Sequence, residues 1–141
     1  MDTFLQPTTV YGVSKVFNEM IGDYYARKFN MDFRCLRYPG VISSKKYAFN
    51  GTTDYSTEVF FELLQNGEYK CPLKADAALP MIYIDDCIEA TVKFLAADVS
   101  KLQRTVYNLA GISFTPAMLE EAIHDIIPYG KVLYDSPCPT R

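Results

Sequence analysis

Stretches with helical spacing alternate with short extended apolar runs along this chain, and that alternation constrains its fold most. Val13, Val16, Phe17, Met20, Ile21, Tyr24 and Phe29 recur at helical spacing and predict a helix over residues 11–29, capped by Thr8 or Thr9. Phe33, Cys35 and Leu36 break that period and predict a short strand, stopped by the Pro39-Gly40 breaker. Residues 41–54 read as loop. Val59, Phe60, Leu63 and Leu64 predict a second helix over residues 55–64, ended by Asn66-Gly67. Residues 68–80 read as irregular, with a short strand and a turn, and residues 81–84 as a short apolar strand. Asp85 or Asp86 then caps a helix reaching Ala97, with Ile88, Val92 and Leu95 expected to face inward. A strand in "RTVYNLAG" follows. Thr115 and Pro116 then stand as N-cap and first residue of a helix with Leu119, Ile123 and Ile126 as its buried stripe. Residues 131–134 predict a last strand.

Helices and strands at such intervals suit βα units and a parallel sheet, so the expected fold class is α/β. No strand precedes the first helix in this order, so residues 1–141 read as one partial domain that starts partway through such a fold. Apolar residues make up 49% of the chain and charged residues 22%, a globular balance. With a net charge of -3 and no basic block, nucleic acid is not an expected partner. No apolar run approaches the ~18 residues of a membrane span, so no membrane is expected either. Cys35, Cys71, Cys87 and Cys138 lie far apart and form no CxxC, which favours a reducing compartment and no metal site. The first residues, "MDTFLQPTT", carry no targeting pattern.

Tyr11 and Lys15 stand at i and i+4 of the first predicted helix, on one face. A phenol titrates near pH 10 and is a poor base at neutrality. A neighbouring ammonium favours the phenolate, and such a pair can take a proton from an alcohol while hydride leaves the same carbon. Tyr24 and Lys28 repeat the spacing on the same helix, so spacing alone does not choose between the pairs. An aromatic packed beside a surface lysine accounts for either.

The wider wording separates them. "YGVSK", "RYPGVIS", "GTTDYS", "LPMIYIDDC", "RTVYNLAG" and "SFTP" occur in order from about Gln6 to Tyr134. Together they resemble the extended short-chain dehydrogenase/reductase superfamily, the NAD-dependent epimerase/dehydratase type. The match is strongest to its L-threonine 3-dehydrogenase branch. The resemblance implies the C-terminal portion of a Rossmann-like NAD(P)-binding fold with part of a small substrate lobe. It implies NAD as cofactor and oxidation of L-threonine to 2-amino-3-oxobutanoate. Tyr11 would be the base and Lys15 would hold the nicotinamide ribose. Tyr38, Pro39 and the backbone through Ile42 would line the nicotinamide end. Gly51, Thr52 and Thr53 would contact substrate, with Met81 beside that pocket. It also implies a mitochondrial location, with the cytoplasm as runner-up, and pairing of two copies through helices 11–29 and 55–64.

The same resemblance implies a glycine-rich turn that cradles the pyrophosphate. Gly12, Gly22, Gly40, Gly51, Gly67, Gly111 and Gly130 form no GxxGxxG, so this stretch is expected to lack that half and to be inactive as it stands. The loop before "GTTDY" reads "KKYAFN" where relatives are glycine-rich, and "KVLYDSPCPTR" departs from the family pattern. Three alternatives stand beside this expectation: a fragment of an active threonine dehydrogenase, a nucleotide-sugar epimerase/dehydratase relative, and a non-enzymatic remnant that pairs with a full-length homologue. "GTTDY" and "LPMIYIDDC" argue against the nucleotide sugar. His124 is expected to be structural, Asp85 and Asp86 to cap a helix, and Arg34 and Arg37 to form salt bridges.

Overall fold

A computed structural model describes residues 5–45, 51 and 53–134. The elements run α1 (Val10–Phe29), β1 (Cys35–Arg37), β2 (Gly40–Ile42), α2 (Tyr55–Asn66), β3 (Glu68–Cys71), β4 (Leu79–Tyr83) and α3 (Ile84–Ala96). A short 3-10 turn (Val99–Lys101), β5 (Val106–Asn108), β6 (Ile112–Phe114), α4 (Pro116–His124) and β7 (Lys131–Tyr134) complete the order. Among the described residues this is an α/β fold with three parallel strand pairs, β1 with β5, β2 with β4 and β3 with β7. β6 adds antiparallel to β4.

The chain divides into two compact units, Met1–Arg37 with Ala90–Leu109, and Tyr38–Glu89 with Ala110–Arg141. The first unit holds α1 and the β1–β5 pair. Its inward helix face is small and polar. Gly22 is buried, Glu19, Asp23 and Ala26 are half-buried, and Val13, Phe17, Met20 and Tyr24 stand exposed. Gly22 is required by close approach, since a Cβ there would lie 2.1 Å from the Phe33 ring. Asp23 accepts from the Thr105 hydroxyl at 3.3 Å. Arg34 pairs with Asp32 at 2.8 Å and donates to the carbonyls of Phe94 and Leu95, closing the C-terminal end of α3.

The second unit holds the apolar core. Tyr55, Val59 and Leu63 on α2 pack with Tyr69 and Cys71 on β3, Met81 on β4, Val132 on β7, and Ile123 and Ile127. The spacing of 55, 59 and 63 puts them on one helix face, while β3 alternates exposed and buried. Gly67, in the left-handed region at φ 71°, ends α2 and accepts Lys131 at the foot of β7. Tyr69 donates to Glu58 at 3.3 Å and Tyr134 to Glu120. Burial, then the paired carboxylate, pushes each phenol well above its usual range.

Several local expectations are corrected. Residues 41 and 42, expected as loop, form with Gly40 a strand laid against β4, and residues 46–50 and 52 of that expected loop lie outside the described residues. Strand β4 starts at Leu79 and contains Pro80. The proline is tolerated because only β6 pairs with that end, the β2 ladder beginning at Met81. β6 itself was not anticipated as a strand. Asp85 and Asp86 sit in the first turn of α3, which begins at Ile84. Ile88, Val92 and Leu95 are exposed rather than inward. On α4 the helix stops at His124, leaving Ile126 79% exposed while Ile127 enters the core. Thr9 and Thr115 do cap their helices, with side chains accepting from Gly12 and Met118.

Candidate active site

The first site residues lie in the first turns of α1. Thr9 has extended backbone, and its hydroxyl accepts from the Gly12 amide at 3.1 Å. That cap fixes where the helix begins and brings Tyr11 into the first turn. The Ser14 hydroxyl donates to the Tyr11 carbonyl at 2.7 Å. Lys15 follows one turn later, its Nζ 5.0 Å from the centre of the Tyr11 ring, within cation–π range. Tyr11 is 72% exposed and Lys15 is exposed. The duplicate pair behaves differently. The Tyr24 ring meets Tyr25 and Phe29 edge-on, at 5.7 and 6.2 Å between centres, so its contacts are aromatic.

Glu19, one turn beyond Lys15, makes a two-pronged ion pair with Arg37 at the end of β1. Nε donates to Oε1 at 2.8 Å and Nη2 to Oε2 at 2.6 Å. This hydrogen bonding holds the Glu19 carboxyl below the usual carboxylate range. Burial pushes the neighbouring Cys35 thiol up, Glu19 adds to that, and the charges of Arg37 and Lys15 oppose it.

The other expected site residues lie in the second unit. Gly51 and Asp54 close a turn, with the Asp54 amide donating to the Gly51 carbonyl at 3.1 Å and the Gly51 amide donating to the Asp54 carboxylate at 2.8 Å. The Asp54 side chain is thereby turned back, and it makes no side-chain cap on α2. The Thr53 carbonyl accepts from both the Ser56 amide and its hydroxyl. Thr52 lies outside the described residues. Gly40 joins this turn to β4. A Cβ on it would come within 2.3 Å of the Met81 sulfur and 2.7 Å of the Thr53 methyl. Thr53 and Met81 therefore close on the same small patch of β2. Met81 is fully buried there, Pro39 and Ile42 are half-buried and Tyr38 is exposed. Ile42 pairs with Tyr83 and lines, with Phe60, Phe61 and Leu64, an apolar groove of about 410 Å³.

The structure thus brings together Tyr11 with Lys15 in one unit, and Thr53 with Met81 around Gly40 in the other. Sequence reasoning missed three features. Glu19 was legible as a further i+4 step along the Tyr11–Lys15 face. Gly40 reads in the sequence as a breaker, with no sign of its contact with Thr53 and Met81. The groove had a faint signal in the paired aromatics Phe60 and Phe61. His124 accepts a structural role, its ring nitrogen 2.8 Å from the Gly130 carbonyl oxygen. Among the described residues no cluster of His, Cys, Asp or Glu is set to hold a metal. No described helix is long and apolar enough to cross a membrane.

A phenol and an ammonium side by side on an exposed helix face suit the hydroxyl-bearing nicotinamide–ribose end of a dinucleotide. The donors for a pyrophosphate are not supplied by any GxxGxxG in these residues.

Comparison with known proteins agrees with the family resemblance. Residues 1–110 match the model of the NAD dependent epimerase/dehydratase family. The chain is 45% identical over 130 residues to the mitochondrial L-threonine 3-dehydrogenase of Bos taurus, covering 92% of this chain and 35% of the bovine protein. The L-threonine dehydrogenase of Phytophthora infestans superposes with a TM-score of 0.90 at 44% identity, over 94% of this chain and 44% of that one. The holo form of the GalE-like L-threonine dehydrogenase of Cupriavidus necator gives 0.90 at 42% identity, over 96% and 44%. The chain therefore spans between a third and a half of the length of these relatives. With the parallel α/β fold and most of its length matched, the chain belongs to the NAD dependent epimerase/dehydratase family.

Proposed function

We propose that these residues carry the proton-transfer and substrate-lobe portions of an L-threonine 3-dehydrogenase. The observation that carries this is the Tyr11–Lys15 pair, ammonium 5.0 Å from ring, on the helix that follows the Thr9 cap. Relatives named as threonine dehydrogenases at 42–45% identity support the same reading. In it, Tyr11 accepts the proton of the threonine β-hydroxyl as that carbon becomes a carbonyl, giving 2-amino-3-oxobutanoate. Bound NAD+ supplies the hydride acceptor. Lys15 holds a ribose hydroxyl and its charge favours the phenolate. Tyr38, Pro39 and Ile42 line the nicotinamide end. Gly51, Thr52 and Thr53 orient the substrate, and Met81 backs Thr53.

Proximity does much of the work in such a reaction, and it requires the cofactor to be held firmly. The 141 residues alone are expected to bind NAD+ too weakly for turnover, because they contain no glycine-rich pyrophosphate turn. Two further parts of the proposal follow relatives rather than chemistry. The location is mitochondrial, as the name of the bovine relative has it. Two copies pair through α1 and α2, and the exposed stripe Val13, Phe17, Met20 and Tyr24 supports a contact on α1. Sedimentation of the chain with and without Phe17→Asp checks that pairing, which fails if both are monomers.

The decisive experiment has two arms. Calorimetry of the 141-residue chain with NAD+ is expected to show no micromolar binding, and micromolar binding would remove the proposed dependence on a missing cradle. A chimera then joins this chain to the N-terminal portion of the Cupriavidus necator enzyme. It is expected to form NADH from L-threonine, and Tyr11→Phe is expected to lower that rate by about 10²-fold or more. A chimera that binds NAD+ and leaves L-threonine unchanged would overturn the reading.

A further inference from the structure

Helix α1 is weakly anchored by apolar contact. Gly22, resting on Phe33, is its only buried residue. Two polar links share the inward face, Asp23 to the Thr105 hydroxyl at 3.3 Å and Glu19 to Arg37. The first is a single long hydrogen bond. The second is a fork with prongs of 2.8 and 2.6 Å, and a planar two-pronged contact fixes rotation about the helix axis as well as displacement along it. The Glu19 side chain is 14% exposed and that of Arg37 36%, so part of the contact is shielded from water. Glu19 continues the i, i+4 row that begins with Tyr11 and Lys15. Arg37 ends β1.

We propose that Glu19 and Arg37 are a positioning pair that sets the Tyr11–Lys15 face of α1 against the end of β1. Its meaning for catalysis rests on the dehydrogenase reading above. Its geometric content does not. A displacement of about 1 Å at a reacting group can cost on the order of 10²-fold in rate, so a fork with a small effect on stability can have a large one on chemistry.

The test uses the 141-residue chain with ¹³C-labelled tyrosine rings, Tyr11 being assigned by the signal lost in Tyr11→Phe. Glu19→Gln keeps side-chain size, Arg37→Gln shortens the side chain, and each removes the ionic fork. Each is expected to shift and broaden the Tyr11 signal while those of Tyr55 and Tyr69, in the second unit, stay in place. The reversed pair, Glu19→Arg with Arg37→Glu, is expected to return the Tyr11 signal most of the way. A Tyr11 signal unmoved in both single variants overturns the proposal. So does a reversed pair that leaves the signal as displaced as the single variants do. If a single variant loses its helix by circular dichroism, the reversed pair decides: the original Tyr11 signal supports the proposal and a displaced one overturns it. No NAD+ or L-threonine is present in these spectra. A chimera inactive on L-threonine therefore overturns the dehydrogenase reading without changing this result, and an unmoved Tyr11 signal leaves that reading intact.

Discussion

The two units solve the burial problem in opposite ways. In the second, α2 turns Tyr55, Val59 and Leu63 onto β3, β4 and β7, and every buried apolar side chain among the described residues belongs to this unit. In the first, α1 turns Glu19, Gly22, Asp23 and Ala26 inward and leaves its long apolar side chains outside. The second unit is held mainly by the hydrophobic effect, the first by close backbone approach and directed polar contacts. The candidate proton-transfer pair sits in the first, on an element whose placement depends on few contacts. Function and stability are thus expected to respond to different residues.

The sharpest way to break this contrast is to cut equivalent apolar groups from the two helices. Leu63 is 0% exposed and Phe17 59%. Leu63→Ala is expected to cost about 2–5 kcal/mol in the second unit. Phe17→Ala is expected to stay within about 0.5 kcal/mol in the monomer. Amide hydrogen exchange, scored separately in α1 and α2, reads both. Equal losses would erase the distinction.

Gly22→Ala comes next. A methyl forced into the Phe33 ring should cost about 1–3 kcal/mol and speed exchange along α1 only. An effect that reached α2 equally would mean that the units share one cooperative transition. In the second unit, the Tyr55 hydroxyl is buried with no hydrogen-bond partner among the described residues. Tyr55→Phe removes an unsatisfied group. It is expected to be neutral or to stabilise by about 1 kcal/mol, checked by urea denaturation, and a loss above that size would reveal a partner.

The same contrast explains what the sequence made legible. Periodicity located α1, α2, β1, β5 and β7, because each stretch changes its apolar spacing sharply at its ends. Caps at Thr9 and Thr115 were readable because short hydroxyl side chains sit just before each helix. Periodicity failed on which face is buried. Val13, Phe17, Met20 and Tyr24 on α1 and the trio Ile88, Val92 and Leu95 on α3 are strongly apolar, yet they are exposed. Spacing reports that one face is apolar and not whether anything covers it. The short strands β2 and β6 escaped because β2 starts on the Pro39-Gly40 breaker and β6 runs directly into the Thr115 cap, and their registers are set by neighbours, Gly40 against Met81 and Ile112 against Met81. At the candidate site, Tyr11 and Lys15 were legible as words in a motif. A salt bridge was expected of Arg37 and Glu19 continues the i+4 row, but their pairing with each other was not legible, because only the fold brings residues from α1 and β1 together.

The smallest expected effect tests the polar side of the contrast. Arg37 holds the folded-state pKa of Glu19 below its unfolded value, which is about 4.3. The unfolded chain therefore binds the proton more readily, and stability contributed by the pair is complete above that value and is lost as pH falls through the lower folded one. A pair with a partly exposed guanidinium contributes about 1 kcal/mol or less. Exchange along α1, measured from pH 6 down to pH 3 and corrected for intrinsic rates, should quicken in the parent chain toward the level of Glu19→Gln. The Gln variant removes this titration, so its own protection should change less over the same span. Exchange in the core of α2 gives the internal control, since Leu63 and Val59 pack without that ion pair. If parent and variant lose α1 protection in parallel, the carboxylate is not what holds this helix, and Gly22 on Phe33 with the Asp23–Thr105 hydrogen bond would have to hold it instead.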